Sequence, residues 1–131
     1  KMLDNVIIKN DDALAIMREY DCSDAFFYCD PPYLPGTRSA GEYRYEMTIE
    51  QHEDFINTII NMSGMVMVSG YDNELYRTLD EAGWNRVEFK TMCYAAGRTR
   101  KIGILGDGSA MKKQPRTEVV WRNYSENGRL I

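Results

Sequence analysis

The stretch "AFFYCDPPYLPG", residues 25–36, limits what this chain can fold into more than any other. Ala25–Cys29 is an apolar run rich in aromatic residues and reads as a β-strand. It shows no polar alternation, so both of its faces call for cover, as in a central strand of a parallel sheet. Pro31 and Pro32 follow at once. Neither has a backbone N–H, so strand pairing cannot continue through them. Each also restricts the torsions of the residue before it. The strand therefore stops at Asp30 and leaves a carboxylate at its carboxyl end, beyond which ligands bind in parallel α/β sheets.

The rest of the chain alternates strand and helix. "NVIIKN" is a short β-branched run and predicts a strand over Val6–Lys9. "NDDALAIMREY" has helical periodicity, with Asn10 or Asp11 as N-cap and Leu14, Met17 and Ala13 facing inward. "TIEQHEDFINTIINM" predicts a helix whose Thr48 and Gln51 have capping-box spacing. Its Ile49, Phe55, Ile56, Ile59 and Ile60 lie mainly on one side. "GMVMVSG" is a third strand between glycines. "DNELYRTLDEAGW" predicts a helix capped by Asp72 and stopped by Gly83. "NRVEFKTMC" and "TEVVWRNY" are the last two strands, joined by a long Gly-rich basic connection. No helix lies between these two, so they form an antiparallel hairpin. The whole is an α/β sheet of about five strands and three helices with right-handed crossovers.

Composition excludes several classes. The chain has 131 residues, 44% hydrophobic and 27% charged, which suits one soluble globular domain. No apolar run is long enough for a membrane helix, and no signal peptide opens the chain. The three cysteines, Cys22, Cys29 and Cys93, are odd in number and lack C-x-x-C spacing. They indicate a reducing, cytoplasmic setting and neither a disulfide framework nor a zinc site. His52 is the lone histidine, so no metal cluster is expected. The net charge of −4 argues against a general nucleic-acid coat, yet Lys90–Arg116 holds seven basic residues and one acid. Such a segment is compatible with phosphate contact, and equally with a solvated loop.

The turn itself has a chemistry. Asp30 offers a carboxylate, the Pro31 carbonyl is left to accept a hydrogen bond, and Tyr33 adds a flat ring. Two acceptors beside a stacking surface suit a planar ligand that carries an amino group. "DPPY" after an apolar strand resembles the catalytic motif of amino-group DNA methyltransferases, and its leading Asp resembles the N6-adenine branch, the DNA adenine methylase (D12) family. "VIIKNDDAL", "TIEQHEDFINTI" with His52, "VMVSGYDNELYRTL" and "GRTRK…TEVVWRNY" extend the resemblance over most of the chain.

The resemblance implies a Rossmann-like sheet and methyl transfer from S-adenosylmethionine to N6 of an adenine flipped out of double-stranded DNA, without a metal. It assigns catalysis to Asp30, Pro31, Pro32 and Tyr33. Asp30 and the Pro31 carbonyl would accept the two N–H bonds of the amine, stabilising the positive charge that develops during attack. Tyr33 would stack on the extruded base, with Tyr94 a candidate for its other side. Arg98, Arg100 and Lys101 would contact phosphates. Asp30 also lies toward the cofactor, and Asp11 is a candidate for its adenine end, or else a helix cap.

The family's Gly-rich cofactor loop is not found. "GILGDG" has G-x-x-G-x-G spacing but no helix after it. The resemblance places that loop, the acid for the cofactor ribose and the DNA recognition domain upstream. It thus makes the chain a single domain, the C-terminal part of a bacterial or phage enzyme, weak or inactive alone, with a restriction–modification role among those open. The missing strands would leave a gap, closed by self-association or by displacement of "KMLDNVIIKN". Three other readings stay open: transfer to RNA adenine or to cytosine N4, a nucleic-acid-binding remnant without catalysis, and a nucleotide-binding domain with an accidental motif.

Overall fold

The computed structural model of the chain describes residues 4–34, 46–92, 115–128 and 130–131. It is a mixed α/β structure. In chain order the elements are α1 (Ala13–Tyr20), β1 (Phe26–Cys29), α2 (Ile49–Ile60), β2 (Met65–Tyr71), α3 (Arg77–Glu81), β3 (Asn85–Met92) and β4 (Pro115–Arg122). The four strands form one sheet of order β1-β2-β4-β3. β1 and β2 pair in parallel, and β4 is antiparallel to both β2 and β3. β1, β2 and β3 therefore run the same way, and their carboxyl ends share one edge. The β3–β4 pairing is the expected hairpin.

The core lies on one face of the sheet. Val66, Val68, Val119 and Trp121 pack there against Phe55, Ile56 and Ile59 of α2, Leu79 of α3 and Met17 of α1. α2 forms where its cap signals place it. The Thr48 hydroxyl accepts from the Gln51 backbone, and the Gln51 side chain accepts from the Thr48 backbone. The opposite face carries Phe26, Tyr28, Val87 and Phe89, all exposed.

Backbone contacts fix the ends of β2. Gly64 lies so close to its neighbours that a Cβ would stand 2.9 Å from the Ala25 carbonyl oxygen. Just past β4, Asn123 is buried, and its side chain acts as one more rung of the ladder. Its Oδ1 accepts from Val66 N at 2.7 Å and its Nδ2 donates to the Gly64 carbonyl at 3.0 Å.

Four expectations need correction. Val6–Lys9 is not a strand: it joins no ladder, and Ile7 and Ile8 are 74% and 81% exposed. A β-branched run forms a strand only beside a partner, and among the described residues this one has none. Its end is instead tied to α1, where Lys9 Nζ meets Glu19 at 2.8 Å and sits over the Tyr20 ring. Among the described residues the sheet accordingly has four strands where about five were expected. β1 pairs only with β2 among the described residues, which makes it an edge strand there and not a central one. Finally, two caps shift by one residue. Asp12, not Asn10 or Asp11, caps α1 by accepting from Ala15 N. Asn73, not Asp72, accepts from Tyr76 N ahead of α3, because Arg77 and Arg86 hold the Asp72 carboxylate. α3 is correspondingly shorter than its sequence pattern, but it ends as expected before Gly83, whose φ of +86° favours glycine.

Candidate active site

The Asp30–Leu34 turn leaves the sheet at the carboxyl edge. β1 and β2 pair in register up to Cys29 opposite Val68, and there β1 stops. β2 continues to Tyr71, held from its other side by β4, with Ser69 opposite Val120 and Tyr71 opposite Glu118. The prolines thus end one strand while its neighbour runs on beneath the turn.

Two contacts join the turn to this extension. Ser69 Oγ donates to Asp30 Oδ1 at 3.0 Å. The Tyr28 hydroxyl lies 3.2 Å from Ser69 Oγ. Ser69 has a single hydroxyl proton, so once it is committed to the carboxylate Tyr28 must be the donor to Ser69. Asp30 itself is exposed, and its Oδ2 has no hydrogen-bond partner among the described residues. The Pro31 carbonyl likewise accepts no hydrogen bond there. The second contact is aromatic: Tyr33 stacks on Tyr71, ring centroids 4.1 Å apart and planes 20° from parallel.

Beside the turn is a groove of about 970 Å³ between α1, β1 and α2. Leu14 and Met17 of α1, Phe27 and Cys29 of β1, and Met47 make much of it apolar, while Asp12 and Asp30 supply carboxylates. Burial pushes the Cys29 thiol up to about 11, so it stays protonated at neutral pH. Farther in, His52 of α2 is fully buried, with its Nδ1 2.8 Å from the Tyr76 hydroxyl. Burial lowers the basicity of His52 and raises the phenol of Tyr76, the latter aided by Cys29. This buried pair sits behind the site and supports α2 against α3.

The structure brings Asp30, Pro31, Pro32 and Tyr33 together as one turn. Asp30, Pro31 and Pro32 line the groove, as does Asp12. Asp11 is exposed, and its carboxylate accepts from the Asp12 backbone. Tyr94, Arg98, Arg100 and Lys101 lie outside the described residues, as do Cys93 and "GILGDG". Sequence reasoning missed Ser69 and Tyr71. Their period-two spacing in "VMVSGYD" places them on one face of a strand, but only the register with β1 shows that they meet Asp30 and Tyr33. Among the described residues no group of three His, Cys, Asp or Glu could hold a metal ion. No helix among them is long and apolar enough to cross a membrane.

Comparison with known families gives one match. The sequence model of the D12 class N6 adenine-specific DNA methyltransferases covers residues 1–92, from before α1 through β3. No curated protein and no solved structure matches the chain.

Proposed function

The chain belongs to the D12 class N6 adenine-specific DNA methyltransferase family, and from that premise we propose that its Asp30–Tyr33 turn receives the N6 amine of an adenine flipped out of double-stranded DNA. The observation that carries the reading is the pair of acceptors at the end of β1. Asp30 Oδ2 and the Pro31 carbonyl both lack protein donors among the described residues, and Tyr33 follows them in the same turn. An exocyclic amine has two N–H donors and a weakly nucleophilic nitrogen. Two acceptors draw both protons to one side and stabilise the positive charge that grows on nitrogen during attack. Asp30 can take the released proton once the new bond has made it acidic. Tyr33 stacks on the base, an interaction worth roughly 1–3 kcal/mol.

The groove fits S-adenosylmethionine as methyl donor. Its volume of about 970 Å³ is at the upper end of ordinary small-molecule sites. Its lining is largely apolar, and Asp12, Asp30, Asp54 and Arg18 supply its charged groups. The donor supplies an electrophilic methyl group on a sulfonium, and this chain's part is to orient the amine and take up its charge. No metal is required. The segment with Arg98, Arg100 and Lys101 follows β3 in sequence, and its basic residues suit phosphate contact. Asp11 and Tyr94 are candidates for the cofactor's adenine end and the far side of the base.

The parallel β1, β2 and β3 with a reversed β4 between the last two support a Rossmann-like sheet, of which this chain supplies the C-terminal part. In that reading the chain alone transfers methyl groups weakly or not at all. The free edge of β1 then takes further strands or a second copy.

The test is methyl transfer to adenine-containing duplex DNA by the full-length protein, with Asp30→Ala beside it. Transfer by the parent and loss in the variant is expected. A parent that binds donor and DNA yet methylates neither DNA nor RNA would overturn the reading in favour of a silent binding domain.

A further inference from the structure

We propose that Ser69 and Tyr71 of β2 are positioning residues for methyl transfer: Ser69 sets the rotation of the Asp30 carboxylate, and Tyr71 sets the plane of the Tyr33 ring. This inference rests on the reading of the turn as the amine site, and adds residues that neither the motif nor the family match assigns.

Pro31 and Pro32 remove two backbone donors, and the ladder between β1 and β2 ends at Cys29. Asp30 is exposed, and an exposed carboxylate rotates freely about its last torsion. Left alone, it would present either oxygen, in any plane, to an incoming amine. Rate depends on holding such a group near its productive geometry.

β2 supplies what is lacking. Its last three residues pair with β4, so their positions are fixed without help from β1. Ser69 lies level with Asp30 in the parallel register and on the same face. Its hydroxyl occupies Oδ1 at 3.0 Å and so turns Oδ2 outward. Tyr28 enforces the direction of that bond, because its own hydroxyl donates to Ser69 Oγ. Tyr28 is 61% exposed, so water can replace it, whereas Ser69 has no such substitute aligned by the strand. Two residues on, Tyr71 is 9% exposed and stacks under Tyr33 at 4.1 Å. One face of β2 is therefore a rigid ledge below both the carboxylate and the ring.

The experiment is steady-state methylation of duplex DNA by the full-length protein and its Ser69→Ala, Ser69→Thr, Tyr28→Phe and Asp30→Ala variants, with melting temperatures alongside. Ser69→Ala is expected to lower kcat about tenfold, the lower end for a hydrogen bond to a charged group. KM for DNA and the melting temperature should hold. Ser69→Thr, which restores the hydroxyl on a side chain suited to a strand, should recover most of the rate, and Tyr28→Phe should lose less than Ser69→Ala. In parallel, Tyr71→Leu should weaken the fluorescence rise of 2-aminopurine at the target position, while Tyr71→Phe keeps it. Ser69→Ala within twofold of the parent, with Asp30→Ala inactive, would overturn the assignment and leave the amine-site reading standing. A fall in rate that merely tracks a fall in melting temperature, or that Ser69→Thr fails to rescue, would also overturn it. No transfer by the parent would overturn both.

Discussion

Replacing Asn123 by Ala should cost roughly 2–6 kcal/mol of folding free energy, since each orphaned buried polar group costs about 1–3 kcal/mol. Two groups are orphaned. Asn123 Oδ1 accepts from Val66 N at 2.7 Å, and its Nδ2 donates to the Gly64 carbonyl at 3.0 Å. Val66 is 0% exposed, so water cannot take over. Against a typical total of about 5–15 kcal/mol, this is a large share for a residue outside the apolar core. Asn123→Asp separates the two bonds. It keeps the acceptor for Val66 N but turns a second oxygen toward the Gly64 carbonyl. Burial and that repulsion raise the carboxyl's folded-state pKa above its unfolded value. A raised carboxyl is stabilising while protonated, and that stability is lost as pH rises through the folded pKa. The Asp variant should therefore regain stability relative to the parent as pH falls, once the proton it acquires can be donated to Gly64. Urea unfolding followed by the fluorescence of the buried Trp84 and Trp121 measures both effects. A cost for Asn123→Ala below about 0.5 kcal/mol at unchanged m would refute the accounting. So would an Asp variant whose difference from the parent is flat between neutral pH and pH 4.

Two further outcomes follow from buried titratable groups. Cys29, pushed up to about 11, should react with iodoacetamide far more slowly at neutral pH than the exposed Cys22, as read by peptide mass spectrometry; equal rates would contradict its burial. Burial also holds His52 below its ordinary value, so the folded state resists its protonation while the unfolded state does not. Stability should then fall as pH drops below about 6.5, by at most about 1.4 kcal/mol per pH unit. A His52→Asn variant should lose that slope in pH-dependent urea unfolding, and an identical slope in both proteins would exclude His52 as its source.

Local signals in the sequence were reliable where a feature is satisfied within a few residues. The Thr48–Gln51 capping box, the stop at Gly83 and the β3–β4 hairpin each depend on near neighbours, and each is present. Errors arose where a distant residue competes. Asp72 has a sound cap signature, but Arg86 reaches its carboxylate from the next strand at 2.9 Å and Asn73 takes the capping role. The apolarity of Ala25–Cys29 suggested cover on both sides, yet Phe26 and Tyr28 are exposed. Apolar composition records what a strand can bury, and pairing decides what it does bury. Val6–Ile8 shows the same: β-propensity without a partner among the described residues gives an exposed segment outside the sheet.

The candidate site divides along the same line. Its chemical groups were legible because a carboxylate and two prolines at a strand end are contiguous in sequence. Its supports were not, because Ser69 and Tyr71 lie 39 and 38 residues beyond the residues they touch. Those supports follow from a mismatch in strand length. β1 pairs for four residues and is stopped by Pro31 and Pro32, while β2 runs for seven and is held by β4. Were the strands equally long, residue 31 would sit within the ladder with its carbonyl committed to β2, following the alternation in which Ala25 accepts from Met65 N. Ending β1 early leaves the backbone carbonyl of Pro31 and Oδ2 of Asp30 without donors among the described residues. Extending β2 keeps a rigid surface beneath them. The prolines that break β1 thus release the Pro31 carbonyl beside the Asp30 carboxylate in sequence, and the part of β2 that runs on past β1, paired with β4, supplies the footing.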